Sequence, residues 1–327
     1  MPINTAALAT LATQPVAALG HWPTPLEPTP RLRDALRLTQ TLLVKRDDAI
    51  PFGFGGNKVR KLRYVLPVLQ RDGVDTIITC GGVQSNHARA VAAAAAAFGM
   101  QCHIIANGSP PTILTGNGLL CELLGATREF VASREERVPG MERAAERLRR
   151  AGRRPAIVPL GASTPLGALG FVDAIGELLR QGCTPNVIVH ASSSGGTSAG
   201  ILAGVALHGL STRVIGISAD DPPAALHAQV SSIVRGLESL LEVTDGSLLR
   251  AIRPEFDDSF VGEAYAVPTP ASIEAQRAAA RSDALFVDHT YTAKALAGLA
   301  AYCRDGRISR NATVLFWHTG GQPALFA

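Results

Sequence analysis

Thr76-Ile77-Ile78-Thr79-Cys80-Gly81-Gly82-Val83-Gln84-Ser85-Asn86-His87 is the stretch on which the fold turns. A β-rich run ends in two glycines, and a polar loop then opens an alanine-rich segment from about Asn86 to Phe98. That order predicts a buried strand, a tight turn and a helix that Gly99 stops. Downstream the unit recurs: a strand at 102–105, a helix over about 117–124, a strand at 128–131, a charged helix over 135–150 and a short strand at 156–159. A second series follows, with a helix over 169–181, a strand at 186–190, a small-residue loop at 192–197, a helix over about 198–208 and a strand at 213–217. Helices over 271–281 and 293–304 precede a last strand at 313–317. Alternating strands and helices predict an α/β fold of two open, twisted, mostly parallel sheets flanked by helices. Each series is built round a Gly-rich strand end, so two domains with a cleft between them are expected. We expect a smaller domain at 56–168 and a larger one made of 1–55 and 169–327, the chain crossing between them.

Bulk properties narrow the function. The 327 residues are 46% hydrophobic, which excludes a disordered chain, and the net charge is only +4. The one dense cationic run, Arg147 to Arg154, suits a solvated helix end and has no aromatic stacking partners nearby, so no nucleic-acid partner is expected. Five cysteines without a CxxC pair read as buried thiols of a reducing compartment. The N-terminus lacks a basic segment followed by an apolar core, and the alanine run 92–97 is bounded by Arg89 and His103. A soluble, cytoplasmic protein with no membrane partner is therefore expected. No HExxH or clustered His/Asp spacing suggests a metal.

Chemistry is concentrated in short loops. In Gly55-Gly56-Asn57-Lys58-Val59-Arg60-Lys61-Leu62, two glycines bring the backbone in tight just before an asparagine and a lysine. A lysine set in such a turn suits a Schiff base or a phosphate contact, although a motif this short more often marks a surface turn. Ser85, Asn86 and His87 sit at a helix start, where free N–H groups would hold a carboxylate and where Ser85 or Asn86 would equally serve as a cap. Ser192-Ser193-Ser194-Gly195-Gly196-Thr197 repeats that geometry with more hydroxyls and favours a phosphate over a plain flexible turn. It is neither GxGxxG nor a Walker loop, which disfavours a nucleotide. Thr319, after the last strand, could contact a ligand ring, and Tyr265 and Tyr291 could act as acids or bases or merely pack. A Ser–His–Asp triad through Ser85 or Ser194 is the competing enzyme reading, weakened because neither serine lies in GxSxG.

Taken together these segments resemble one family. Lys45-Arg46-Asp47-Asp48, Phe54 to Leu62, Gln84-Ser85-Asn86-His87, Ser194-Gly195-Gly196-Thr197, Tyr291-Thr292-Ala293-Lys294-Ala295 and His318 to Phe326 occur in the order of the 1-aminocyclopropane-1-carboxylate deaminase/D-cysteine desulfhydrase family. These are pyridoxal-phosphate enzymes of the tryptophan-synthase-β type of fold. The resemblance implies that Lys58 forms a Schiff base with pyridoxal 5'-phosphate and later carries protons. By the same resemblance, Asn86 faces the cofactor's phenolic oxygen, Thr319 its pyridine nitrogen, and Ser194, Gly195, Gly196 and Thr197, with Lys61, its phosphate. Ser85, Asn86 and His87 would hold the substrate carboxylate, and Tyr265 and Tyr291 would approach the substrate. A neutral threonine at the ring nitrogen makes a milder electron sink than a carboxylate, which suits prompt loss of a β group.

Within the family, ring-opening deaminases usually carry QSNQ and a glutamate just after the second tyrosine. Here those positions are His87 and Thr292, which point toward D-cysteine desulfhydrase. Other departures are His289, Thr290, Ala293 and Ser193; the first two would alter the substrate pocket. The expectation is α,β-elimination on a small β-substituted amino acid, D-cysteine first, releasing pyruvate and ammonia. Cysteate elimination, β-replacement, ring opening and a turnover-free binding protein are the alternatives. The family is commonly dimeric, so a homodimer is expected.

Overall fold

The structure is a computed structural model and describes residues 3–327. The strands are β1 (Leu26–Pro28), β2 (Thr41–Arg46), β3 (Thr76–Gly81), β4 (Gln101–Asn107), β5 (Thr127–Val131), β6 (Pro155–Ile157), β7 (Val187–Ser192), β8 (Arg213–Ser218), β9 (Glu255–Asp257) and β10 (Thr313–His318). The helices are α1 (Thr5–Ala12), α2 (Pro30–Ala35), α3 (Asn57–Arg71), α4 (Asn86–Ala97), α5 (Gly116–Leu123), α6 (Arg137–Arg150), α7 (Pro165–Arg180), α8 (Gly196–Leu207), α9 (Pro223–Leu240), α10 (Ser247–Ala251), α11 (Pro270–Asp283) and α12 (Thr292–Arg304).

Two sheets form, as expected. The larger runs β1-β2-β10-β7-β8-β9 and the smaller β5-β4-β3-β6. Every pairing is parallel except β1 with β2. Parallel strands need crossover helices, which cover both faces and leave the strands apolar throughout. β3 and β7 show this, each buried at all six residues. One face of the large sheet packs on α7, α8 and α9 through Phe171, Ile175, Ile201, Val234 and Trp317. Its other face packs on α11 and α12 through Val44, Val189, Ala279, Leu296 and Phe316. The small sheet lies between α3 and α4 on one side and α6 on the other.

Two helices show how composition sets environment. α8 is buried at all twelve residues, and Cβ atoms at its Gly200 and Gly204 would fall within 2.4–2.6 Å of Phe171 and Ile175 on α7. α6 buries Met141, Ala144 and Ala145 and turns its arginines outward. The cationic run at 147–154 is accordingly the solvated end of that helix and the turn after it.

Some elements differ from expectation. Gly55-Gly56-Asn57-Lys58 reads as a turn, but Lys58 lies in the first turn of α3, with only the glycines outside the helix. Helix α7 starts four residues early because Thr164 accepts a hydrogen bond from Gly167 N and Pro165 occupies the first helical position. No element was expected over α9, although its apolar residues recur at helical spacing. No described helix is long and apolar enough to cross a membrane.

Candidate active site

Strands β3, β7 and β10 end beside one another at a cavity of about 500 Å³. This is the crevice at the carboxyl ends of parallel strands where α/β proteins bind ligands. The loops read as separate motifs in sequence converge here. Lys58, Ser85, Asn86 and His87 line the cavity. So do Ser194, Gly195, Thr197, Tyr265, Tyr291 and Thr319. Lys61 and Gly196 lie against each other just behind the wall. His289 and Thr290 also line it.

Lys58 reaches the cleft because the chain doubles back before α3. Gly55 and Gly56 adopt φ of +62° and +97°, and a Cβ on Gly56 would sit 3.0 Å from the Thr319 carbonyl. Asn57 N donates to that same carbonyl, tying α3 to the end of β10. Among the described residues Lys58 Nζ bonds only the neutral Asn57 Oδ1, at 3.2 Å. Burial and the Arg89 guanidinium push its amine down to about 8.

Behind it, Lys61 Nζ donates to Gly161 O at 3.1 Å and to Ser163 Oγ at 3.3 Å. Burial, and then the Lys58 charge, pull its pKa well below the usual lysine value. Gly195 is left-handed, so the chain turns sharply into α8, and a Cβ on Gly196 would lie 2.8 Å from Lys61 Nζ. Ser194 Oγ pairs with Ser163 Oγ at 2.8 Å, and Thr197 Oγ1 accepts from Asn57 Nδ2 at 3.0 Å. Two near-neighbour amines without a carboxylate thus stand beside the free N–H groups of a helix start.

At α4, Ser85 Oγ caps the helix by accepting from Ala88 N, which leaves its own proton free to donate. Thr79 Oγ1 donates to Val158 O, so it must accept from His87 Nε2. His87 therefore carries its proton on Nε2 and has no partner on Nδ1 among the described residues. Burial, followed by the Lys58 and Lys61 charges, holds the ring well below its usual pKa, hence neutral. Neither Ser85 nor Ser194 bonds a histidine, which removes the triad arrangement.

Across the cleft, the hydroxyls of Tyr265 and Tyr291 hydrogen-bond each other. Burial raises both pKa values, for Tyr291 well above the usual phenol, so the pair holds its protons as an acid. Asp288 places Tyr291 by accepting from the N–H groups of Thr290, Tyr291 and Thr292 at 3.0 Å each. Thr292, where ring-opening relatives carry glutamate, also gives its hydroxyl to Asp288. Arg134, on the small-sheet side, stacks 4.8 Å over the Tyr265 ring and pairs with Asp220 after β8, bridging the cleft.

Comparison with known proteins identifies this arrangement. Residues 17–320 match the family described as pyridoxal-phosphate dependent enzyme. The chain belongs to the pyridoxal-phosphate-dependent enzymes. It is 35% identical over 314 residues to a D-cysteine desulfhydrase of Salmonella choleraesuis (strain SC-B67), covering 93% of each chain. A solved ACC deaminase homologue superposes with a TM-score of 0.90 at 31% identity, over 99% of this chain and 97% of that one. The processed form of threonine deaminase isoform 2 from Solanum lycopersicum, at 20% identity, superposes with a TM-score of 0.69 over 96% of this chain and 83% of that one, and shares the fold.

This pyridoxal-phosphate-dependent enzyme has a cleft that fits its cofactor. A phosphate would meet the amine-backed start of α8, and an aldehyde would meet an amine whose lowered pKa makes it nucleophilic near neutral pH. Among the described residues no cluster of three or more His, Cys, Asp or Glu could hold a metal ion. Arg89, Asn117, Arg134, Arg137 and Asp288 escaped the sequence reading. Arg89, Asn117, Arg134 and Arg137 act on side chains distant in sequence, which no local motif announces, whereas Asp288 caps the turn at 290–292 just after it.

Proposed function

We propose that this enzyme is a lyase that eliminates the β-substituent of a small amino acid, with D-cysteine as substrate and pyruvate, ammonia and sulfide as products. The observation that carries the reading is the cleft itself, with a depressed amine at Lys58 on one wall and a protonated tyrosine pair on the other. The start of α4 supports carboxylate binding by Ser85 Oγ and by the N–H groups of Asn86 and His87. Ser194, Gly195, Gly196 and Thr197, backed by Lys61, would hold the cofactor phosphate; Thr319 would face the ring nitrogen and Asn86 the phenolic oxygen. When bound, pyridoxal phosphate supplies the electron sink that makes a Cα proton removable. Lys58 Nζ or the Ser85 hydroxyl, both lining the cavity, takes that proton. Tyr265 and Tyr291 deliver a proton to the departing sulfur, a task for which their raised pKa values suit them.

The 35% identity to a D-cysteine desulfhydrase favours D-cysteine. A second reading, elimination of sulfite from cysteate, is favoured by Arg137, a cavity-lining guanidinium that donates to the neutral Asn107 Oδ1 at 2.9 Å and could take a sulfonate. Keto-acid release from D- and L-cysteine, D- and L-cysteate, β-chloro-D-alanine and the cyclopropane amino acid separates these. Pyruvate from D-cysteine at the highest kcat/KM is expected. A cofactor-loaded protein that releases no keto acid from any of them would defeat the lyase reading.

We also propose a cytoplasmic homodimer, supported by five buried free thiols and by the family resemblance; light scattering tests the stoichiometry. A domain division at 56–168 is supported by the small-sheet strands, which all fall within 76–157. Packing crosses that line, because Ala17, Leu19 and Ile50 join the small-sheet core.

A further inference from the structure

Arg89 is 1% exposed and has no carboxylate partner among the described residues. It stands on α4 behind the cleft and donates to the carbonyls of Gly53 and Gly55, the latter at 3.2 Å, and through Nε to Asn117 Oδ1 at 3.0 Å. Asn117, fully buried, in turn donates Nδ2 to Asn86 Oδ1 at 2.8 Å and to Gln84 O at 3.0 Å. An isolated amide can face either way, because its two ends have nearly the same shape. Here it cannot. A guanidinium only donates, so Asn117 must give Arg89 its oxygen. The nitrogen of Asn117 must then face Asn86, which must answer with its own oxygen. One orientation remains for Asn86, in which its NH₂ is the end left for the cleft.

We propose that Arg89 and Asn117 are positioning residues that fix the donor polarity of Asn86, so that the cleft presents an N–H, and not a carbonyl oxygen, to the phenolic oxygen of the cofactor. The inference rests on the reading above that places Asn86 at that oxygen. A hydrogen bond donated to an anionic oxygen favours the anion, and a carbonyl in the same place repels it. The same guanidinium grips Gly55, one helix-entry turn before Lys58. Both ends of the relay therefore converge on one cofactor.

Asn117→Asp tests the relay with almost no change of shape. Aspartate still accepts from Arg89 but cannot donate, so Asn86 must turn its NH₂ inward and its oxygen to the cleft. The readouts are the cofactor dissociation constant, the pH at which the bound cofactor's visible band titrates, and the melting temperature of the cofactor-free protein. Asn86→Ala is the reference. We expect Asn86→Ala and Asn117→Asp each to weaken cofactor binding by roughly tenfold to a hundredfold, and to move the band's titration upward. If Asn86→Ala shifts both readouts and Asn117→Asp leaves them at wild-type values, the relay is wrong while the Asn86 assignment stands. If Asn86→Ala shifts neither, the assignment fails and the relay with it. Should Asn117→Asp not fold, Arg89→Lys against Arg89→Gln carries the test. Lysine only donates and keeps the polarity, whereas glutamine can accept and releases it. Weaker cofactor binding in Arg89→Gln than in Arg89→Lys, at equal melting temperatures, is expected, and equal binding overturns the proposal.

Discussion

Two groups of buried cations interleave along this chain between Lys45 and Arg89 and differ in one respect. Below the cleft, Arg60 and Lys45 are paired: Arg60 Nη2 lies 2.8 Å from Asp47 and 2.9 Å from Glu177, and Lys45 Nζ lies 2.5 Å from Glu177. Thr24 and the Trp317 indole complete the hydrogen bonding of Asp47. Burial pushes the Glu177 carboxyl up, but Arg60 and Lys45 outweigh it and hold it down to about 2. Burial likewise works against both cations: Asp47 and Glu177 more than restore Arg60, and Glu177 offsets part of the lowering of Lys45. Lys58 in the cleft, and Lys61 and Arg89 behind it, are buried or half-buried with neutral partners only among the described residues, and burial lowers all three, Arg89 to about 10. Charges that serve the fold are neutralised from within. Charges that serve the ligand are left wanting an anion, and that deficit marks the site.

Replacing Lys58 with methionine should have the largest effect: pyruvate release falls by about 10²–10⁴-fold, while the cofactor-free protein melts no lower than wild type, because an unpaired buried charge has gone. A variant that loses activity only in step with its melting temperature would make Lys58 another structural cation. Glu177→Gln does the reverse. It strands Lys45, leaves Arg60 only Asp47, and should cost about 3–5 kcal/mol in urea unfolding, with substrate KM unchanged in the protein that remains folded. A loss below about 1 kcal/mol would put this network in the class of surface pairs.

The subtlest difference is one of pH. The native pKa of Glu177 lies below its unfolded value, so its contribution is complete above pH 4.5 and is lost as pH falls toward 2. Lys58 is a cation lowered by folding, so between about pH 8 and 10.5 the unfolded chain binds more protons than the native one and stability rises with pH across that window. In the cofactor-free enzyme, covalent capture of pyridoxal should accordingly climb through about pH 8. Capture that climbs only near the ordinary lysine value would show Lys58 to be freely solvated.

The sequence alone determined a good deal. Apolar runs ending in Gly81-Gly82 and in Ser194-Gly195-Gly196 specify strand, turn and helix, because short-range sterics and hydrophobic periodicity act along the chain. The order of motifs from Lys45 to Phe326 likewise specified the family and its cofactor. Near Lys58 local reading failed, since Gly55-Gly56 looks the same whether it ends in a surface turn or enters a helix. What only the tertiary structure decided is which groups meet. It set Lys58 against Arg89 rather than a carboxylate, turned Thr292 onto Asp288, locked His87 to one tautomer through Thr79, and gave Asn86 a single orientation through Asn117. The reason is physical: propensity is a property of neighbours in sequence, whereas donor polarity, desolvation and pKa depend on partners brought in from tens or hundreds of residues away.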